Sequence, residues 1–200
     1  MNAFDKTLFH ALNQFAGHSA LDPVMKFFAQ YALELYALLF IVAWFTLPRN
    51  DEDRRHGLIL GVAGGVIALG INLVIGSIWY RPRPFVAMPD QVHRIIPHSV
   101  DASFPSDHVS GGFGFTSGTW GEAPNWVSRS FLVISLITMV ARVYVGVHWP
   151  TDVLGGVVVG LFSGWIARRL SRPLRVITNI GLRIFRMGRF ARRRRYARGR

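Results

Sequence analysis

The chain contains no cysteine. That excludes a disulfide framework and any thiolate metal site, and it leaves the redox compartment undefined. Acidic residues are absent from Arg168 to Arg200, a stretch that holds 13 of the 23 Lys and Arg residues. The first 167 residues carry 10 basic and 11 acidic side chains, so the formal charge of +12 belongs to the C-terminal end alone. No internal repeat is visible, which argues against a pore built from inverted halves. The pattern of a cleaved leader is missing too. Asp5, Lys6, His10 and Asn13 interrupt Phe4, Leu8, Phe9, Leu12 and Phe15, whose spacing predicts an interfacial helix.

What the chain does have is apolar length. Half of its 200 residues are hydrophobic, in runs too long for a soluble domain of this size. Five spans are predicted, at about 24–47, 57–80, 106–120, 128–145 and 151–166. Pro48 stops the first, and the Arg81-Pro82-Arg83-Pro84 block stops the second. The third is short: it rises about 22 Å against a hydrocarbon core of about 30 Å. Its Gly111, Gly112, Gly114 and Gly118 suit close helix packing. The predicted fold class is an all-α integral membrane protein. Residues 1–167 form a bundle of about five transmembrane helices with an N-terminal interfacial helix, and 168–200 form a basic tail. Trp44, Trp79, Trp120 and Trp126 fall near span ends, as an aromatic belt would place them. Glu34, mid-span, is expected to pair with an arginine of the bundle.

The remaining polar residues gather in three clusters: Arg83-Pro84, then Pro105-Ser106-Asp107-His108, then Arg142, His148 and Asp152. Arginines fork onto phosphate oxygens. One histidine can attack phosphorus, and another can protonate the leaving oxygen. Each cluster sits at a span end, and alternating spans bring all three to one side. The 48–56 loop, the 121–127 loop and the arginine tail fall on the other side. The tail's charge then predicts a cytoplasmic C-terminus and an extracytoplasmic site, recessed to headgroup level by the short third helix. For the tail itself, anionic lipid headgroups are the expected partners and nucleic acid is not. His93 and His98 read as solvated loop residues.

The three elements resemble the signature of the type 2 phosphatidic acid phosphatase superfamily over residues 20 to 167. Arg-Pro-Phe and Ser-Phe-Pro-Ser-Asp-His look most like bacterial undecaprenyl-diphosphatases of the bacitracin-resistance type. The resemblance implies a multi-pass protein of the bacterial cytoplasmic membrane, hydrolysing a polyprenyl or other lipid diphosphate without metal or cofactor. It makes His148 the nucleophile that forms a phosphohistidine, Asp152 the acceptor that orients it, and His108 the general acid. Arg83, Arg142 and Ser106 would hold the phosphate. Three positions depart from the signature: Gly76 stands where a lysine is expected, Asp107 replaces a glycine, and Ala141 replaces a serine. Arg81 is the expected substitute for the missing lysine, and Asp107 is expected to turn outward or to support a neighbouring cation. Two alternatives stay open. One is a phosphatase or phosphotransferase on another lipid phosphate, such as phosphatidylglycerol phosphate or phosphatidic acid; the other is a permease or transporter subunit. A metal-dependent hydrolase is disfavoured, since of Asp101, Asp107 and Asp152 only the last has a ready partner.

Overall fold

The computed structural model describes residues 2–191, so the last part of the arginine tail, 192–200, lies outside the described residues. It contains α1 (Ala3–Asn13), α2 (Asp22–Thr46), α3 (Glu52–Ile78), α4 (Pro84–Ala87), α5 (Asp107–Thr119), α6 (Asn125–Tyr144), α7 (Pro150–Arg169) and α8 (Ser171–Ile184). Two 3₁₀ turns, Pro89–Gln91 and Gly188–Phe190, complete the described residues, among which there is no strand. The protein is an all-α membrane protein. Four helices, α2, α3, α6 and α7, are long and apolar enough to cross a bilayer. The expected third span is α5, whose 13 residues give it a rise of about 20 Å.

That short helix is the centre of the bundle, wedged between α3, α6 and α7. Its glycines make this possible. A Cβ on Gly114 would stand 2.6 Å from the Gly64 carbonyl oxygen of α3, and one on Gly160 of α7 would stand 2.6 Å from the Ser110 carbonyl oxygen. Backbones therefore meet directly, which is how membrane helices gain contact where apolar burial supplies little.

The end of the bundle away from the clusters is closed by one arginine. Buried Arg55 donates to the carbonyls of Trp44 (3.0 Å), Leu47 (2.6 Å), Pro48 (2.6 Å) and Asp51 (3.2 Å). It thus satisfies the orphan carbonyls left where α2 ends. Trp44 is only 3% exposed beneath this guanidinium, so it is a core residue and not part of an aromatic belt. Trp79, Trp120 and Trp126 are exposed as anticipated. The basic tail is also more structured than the sequence suggested. Arg168 and Arg169 close α7, and α8 then docks on α3. Thr178 and Ser171 hydroxyls sit 2.7 Å and 2.9 Å from the two ring nitrogens of His56, and Arg175 and Arg189 pair with Asp53 and Glu52.

One expectation fails on orientation. Glu34 lies on the outer face of α2 and forms no ion pair among the described residues, because the buried stripe of that helix runs through Ala29, Ala32, Tyr36 and Ala43. The expected N-terminal helix forms, with Phe4 and Leu8 exposed and Asp5, Phe9 and Asn13 buried. Its polar face is turned inward because it has polar work to do. Asn13 donates to the carbonyls of His93 (2.9 Å) and Tyr144 (2.8 Å), and Asp5 reaches the site.

Candidate active site

The three clusters meet at one end of the bundle. Arg83 comes from the segment between α3 and α4, Ser106 caps α5, Arg142 lies in the last turn of α6, and Asp152 in the first turn of α7. His148 sits on the tight α6–α7 connection. Gly146 makes that connection at φ +86°, where any Cβ would also collide with Val92 and the His93 carbonyl. The turn reverses the chain within six residues, so the Arg142 and His148 side chains converge. Arg83, Ser106, Arg142, His148 and Asp152 are each at most 4% exposed, a buried set that does not project into water.

The geometry fixes the state of His148. Its Nδ1 is 2.8 Å from the Ser103 carbonyl, which can only accept, so Nδ1 carries the hydrogen. Its Nε2 faces Arg83 Nη1 at 3.1 Å and Arg142 Nη2 at 3.3 Å. Guanidinium groups only donate, so Nε2 presents a lone pair between two cations. Burial, then Arg142 and Arg83, push this loop histidine well below its ordinary pKa. It is neutral near pH 7.

Asp152 was expected to take the hydrogen bond from Nδ1. Its Oδ2 stands 3.6 Å away, and the Ser103 carbonyl has that position instead. The carboxylate accepts from the Ser103 hydroxyl, from the Trp149 N–H at 2.8 Å and from Arg81 Nη1 at 2.5 Å. It therefore orients His148 through Ser103 and through the turn that carries the ring. Ser103 belongs to the Ser-Phe-Pro-Ser-Asp-His run but had no role assigned to it.

Arg81 is likewise not where a phosphate ligand would be. It bridges Asp152 and Asp5, both at 2.5 Å, on the Nδ1 side of the imidazole. Asp5 also accepts from the Thr151 N–H at 2.9 Å, so α1 is tied to the back of the site. Nothing in the sequence links Asp5 to residues about 146 positions later. At Gly76 the nearest neighbour of an added Cβ would be Ala102 at 3.7 Å.

His108 is half-buried in the first turn of α5 and makes no side-chain hydrogen bond among the described residues. Asp107 is exposed and accepts from Asn72 at 2.7 Å, so it turns outward. Two buried polar atoms of the cluster, Ser106 Oγ and Arg142 Nε, have no protein partner. Buried polar groups are seldom left so. Asp101 accepts from Arg83 Nε at 2.6 Å; burial pushes its carboxyl up, but Arg83 and Ser99 together hold it below its ordinary pKa.

The chain matches the PAP2 superfamily over residues 54–175. It is 36% identical to undecaprenyl-diphosphatase BcrC of Bacillus subtilis (strain 168), covering 89% of this chain and 90% of that protein. It is 33% identical to a Bacillus licheniformis protein named bacitracin transport permease protein BcrC, covering 77% of this chain and 75% of that one. Among solved structures, Aquifex aeolicus LpxE is similar with a TM-score of 0.68 and 23% identity, over 84% of this chain and 96% of that one. A PAP2-type phosphatidylglycerolphosphate phosphatase from Bacillus subtilis gives a TM-score of 0.61 and 22% identity, over 86% and 88% of the two chains. At those identities the structural likeness is one of fold.

Proposed function

The chain belongs to the PAP2 superfamily and is a membrane lipid phosphatase, and from that premise we propose that it hydrolyses undecaprenyl diphosphate to undecaprenyl phosphate and inorganic phosphate. The observation that carries the chemistry is the bare Nε2 of His148, held between Arg83 and Arg142. The lone pair attacks the terminal phosphorus. A P–N bond forms as the bond to the bridging oxygen breaks, and His108, protonated from solvent once the bound anion offsets Arg142 and Arg83, gives that oxygen its proton. Water, deprotonated by the same residue, then cleaves the P–N bond and releases phosphate. Arg83, Arg142, Ser106 Oγ and the first N–H groups of α5 receive the equatorial oxygens, where charge accumulates.

The substrate reading is supported by the B. subtilis relative, which matches along nearly its whole length. Recycling of a cell-wall carrier lipid, and with it bacitracin resistance, follows from that substrate. The site faces the extracytoplasmic side, with the basic C-terminal end cytoplasmic against anionic headgroups. A permease is the second reading, suggested by the name of the B. licheniformis relative. The buried His–Arg cluster favours chemistry over passage.

Phosphate release by the purified protein tests the reading. With a panel of polyprenyl diphosphates, phosphatidylglycerol phosphate and phosphatidic acid, undecaprenyl diphosphate should give the highest kcat/KM, with and without chelator. Equal or better turnover of a glycerolipid phosphate overturns the substrate. Activity lost in chelator and restored by magnesium overturns the phosphohistidine route.

A further inference from the structure

His98 is a cluster residue. Ile96, buried against α6, anchors the incoming loop, and the imidazole that follows is half-buried over the site. Its Nδ1 lies 3.2 Å from the Ser99 carbonyl, so that nitrogen holds the hydrogen. Its Nε2 accepts from Arg142 Nη2 at 2.7 Å. The ring stands edge-on to His148, with centroids 6.2 Å apart. The charged and titratable groups around it are Arg142 from α6, Arg83 from the α3–α4 segment, His148 from the α6–α7 loop, His108 from α5 and Asp101 from its own loop.

We propose that His98 is a third phosphate-contacting side chain, taking up a proton from solvent as the anion enters and returning it as an Nε2–H hydrogen bond to a phosphate oxygen. This rests on reading the cluster as a phosphate cradle. The Nη2 of Arg142 now serves a neutral imidazole, and a phosphate dianion is the stronger acceptor for the same N–H. Once the anion takes it, His98 Nε2 loses its donor and faces negative charge. Without the anion, burial and then Arg142 and Arg83 push the pKa of His98 down to about 4. An anion placed among the same groups reverses the sign of that field. The need is real, because Asp101 at 2.6 Å already offsets part of the charge of Arg83. A diphosphate terminus meets little more than one uncompensated cation unless His98 adds another.

Binding of orthovanadate to the full-length protein in detergent, followed by calorimetry near pH 7 in two buffers of different ionisation enthalpy, tests this. Wild type should take up more protons per vanadate than His98→Gln, by up to about one. The glutamine amide reaches the same oxygen with a permanent N–H, so its affinity should stay within a few-fold of wild type. His98→Ala should bind vanadate about tenfold to a hundredfold more weakly, the range for a lost hydrogen bond to a charged group. Equal proton uptake in wild type and His98→Gln overturns the proposal, as does unchanged vanadate affinity in a folded His98→Ala. These arms do not depend on the lipid. Failure to hydrolyse undecaprenyl diphosphate would remove the substrate reading and leave the vanadate comparison standing.

Discussion

The Ser103 carbonyl lies 2.8 Å from Nδ1 of His148, and the Ser103 hydroxyl donates to Asp152. One small residue therefore connects the carboxylate to the imidazole from both its backbone and its side chain. A carbonyl acceptor fixes the tautomer without placing a full negative charge against the imidazole. The carboxylate is kept for the turn, through the Trp149 N–H at 2.8 Å, and for Arg81.

The two histidines should separate by leaving group. His148→Ala should abolish turnover of lipid and aryl phosphates alike. His108→Ala should cost about 10² to 10⁴ on the lipid substrate, the range for a general acid, and far less on an aryl ester whose leaving group needs no proton. Steady-state rates on both substrates check this, with membrane insertion as the control. Equal losses on both substrates in His108→Ala would remove its assignment as the acid.

Stability should depend on pH through the two depressed loop histidines. The unfolded chain protonates both near pH 6.5, while the folded protein keeps His148 neutral to well below that value and His98 to about 4. The unfolded state thus binds more protons below pH 6.5, and stability falls as pH drops from 6.5 toward 5. Thermal unfolding between pH 5 and 8 should show this slope, reduced in His98→Gln. A melting temperature flat from pH 7 to 5 would contradict the neutral assignment.

Much of the site was legible because its spacing has a physical cause. Arg142 and His148 are joined by a helix end and one glycine turn, and Ser106 stands where a helix must start. Each of the five expected spans corresponds to a helix, since prolines and charged loops mark their ends. What escaped reading was contact between distant segments. The inward face of α1 depends on Asp5 meeting Arg81 and Thr151, and His98 looked solvated because its partner, Arg142, comes 44 residues later. The docking of α8 likewise depends on His56, expected at the end of the 48–56 loop and found buried in the first turns of α3 against Thr178, 122 residues later.

Packing at the bundle centre should be intolerant of a single methyl. On Gly114 it would lie 2.6 Å from the Gly64 carbonyl oxygen and 2.9 Å from the Gly65 nitrogen. Both are backbone atoms and cannot rotate away. Gly114→Ala should lower stability by about 1–3 kcal/mol, as overpacking does. Gly70→Ala, with nothing within 4 Å of the added carbon, should be near neutral. Melting temperatures of the two variants in one detergent provide the comparison.

Topology should follow charge. A reporter fused after Arg200 should report the cytoplasm, and one inserted between residues 85 and 102 the extracytoplasmic side. The paired enzyme reporters, one active on each side, decide it. The reverse pattern would place hydrolysis on a cytosolic lipid pool and exclude the recycling role.

Arg81 gives the last prediction. As a phosphate ligand replacing the lysine absent at position 76, its loss would weaken substrate binding, and Gly76→Lys would restore part of it. As the bridge between Asp5 and Asp152, its loss strands two carboxylates that are fully buried. Removing one partner of a buried pair costs about 3–5 kcal/mol, so Arg81→Ala should melt well below wild type. Its kcat should fall, because Asp152 no longer holds the turn under His148, while vanadate affinity should change little. Gly76→Lys should rescue neither stability nor rate, since a lysine there does not restore a bridge between Asp5 and Asp152. Asp5→Asn is the informative companion. It keeps one acceptor oxygen for the Thr151 N–H and gives up the charged acceptor of Arg81, which still has Asp152, so it should reproduce the Arg81→Ala phenotype only in part. Melting curves, kcat and vanadate inhibition of the three variants separate the roles. A large loss of vanadate affinity in Arg81→Ala, recovered by Gly76→Lys, would return Arg81 to the phosphate.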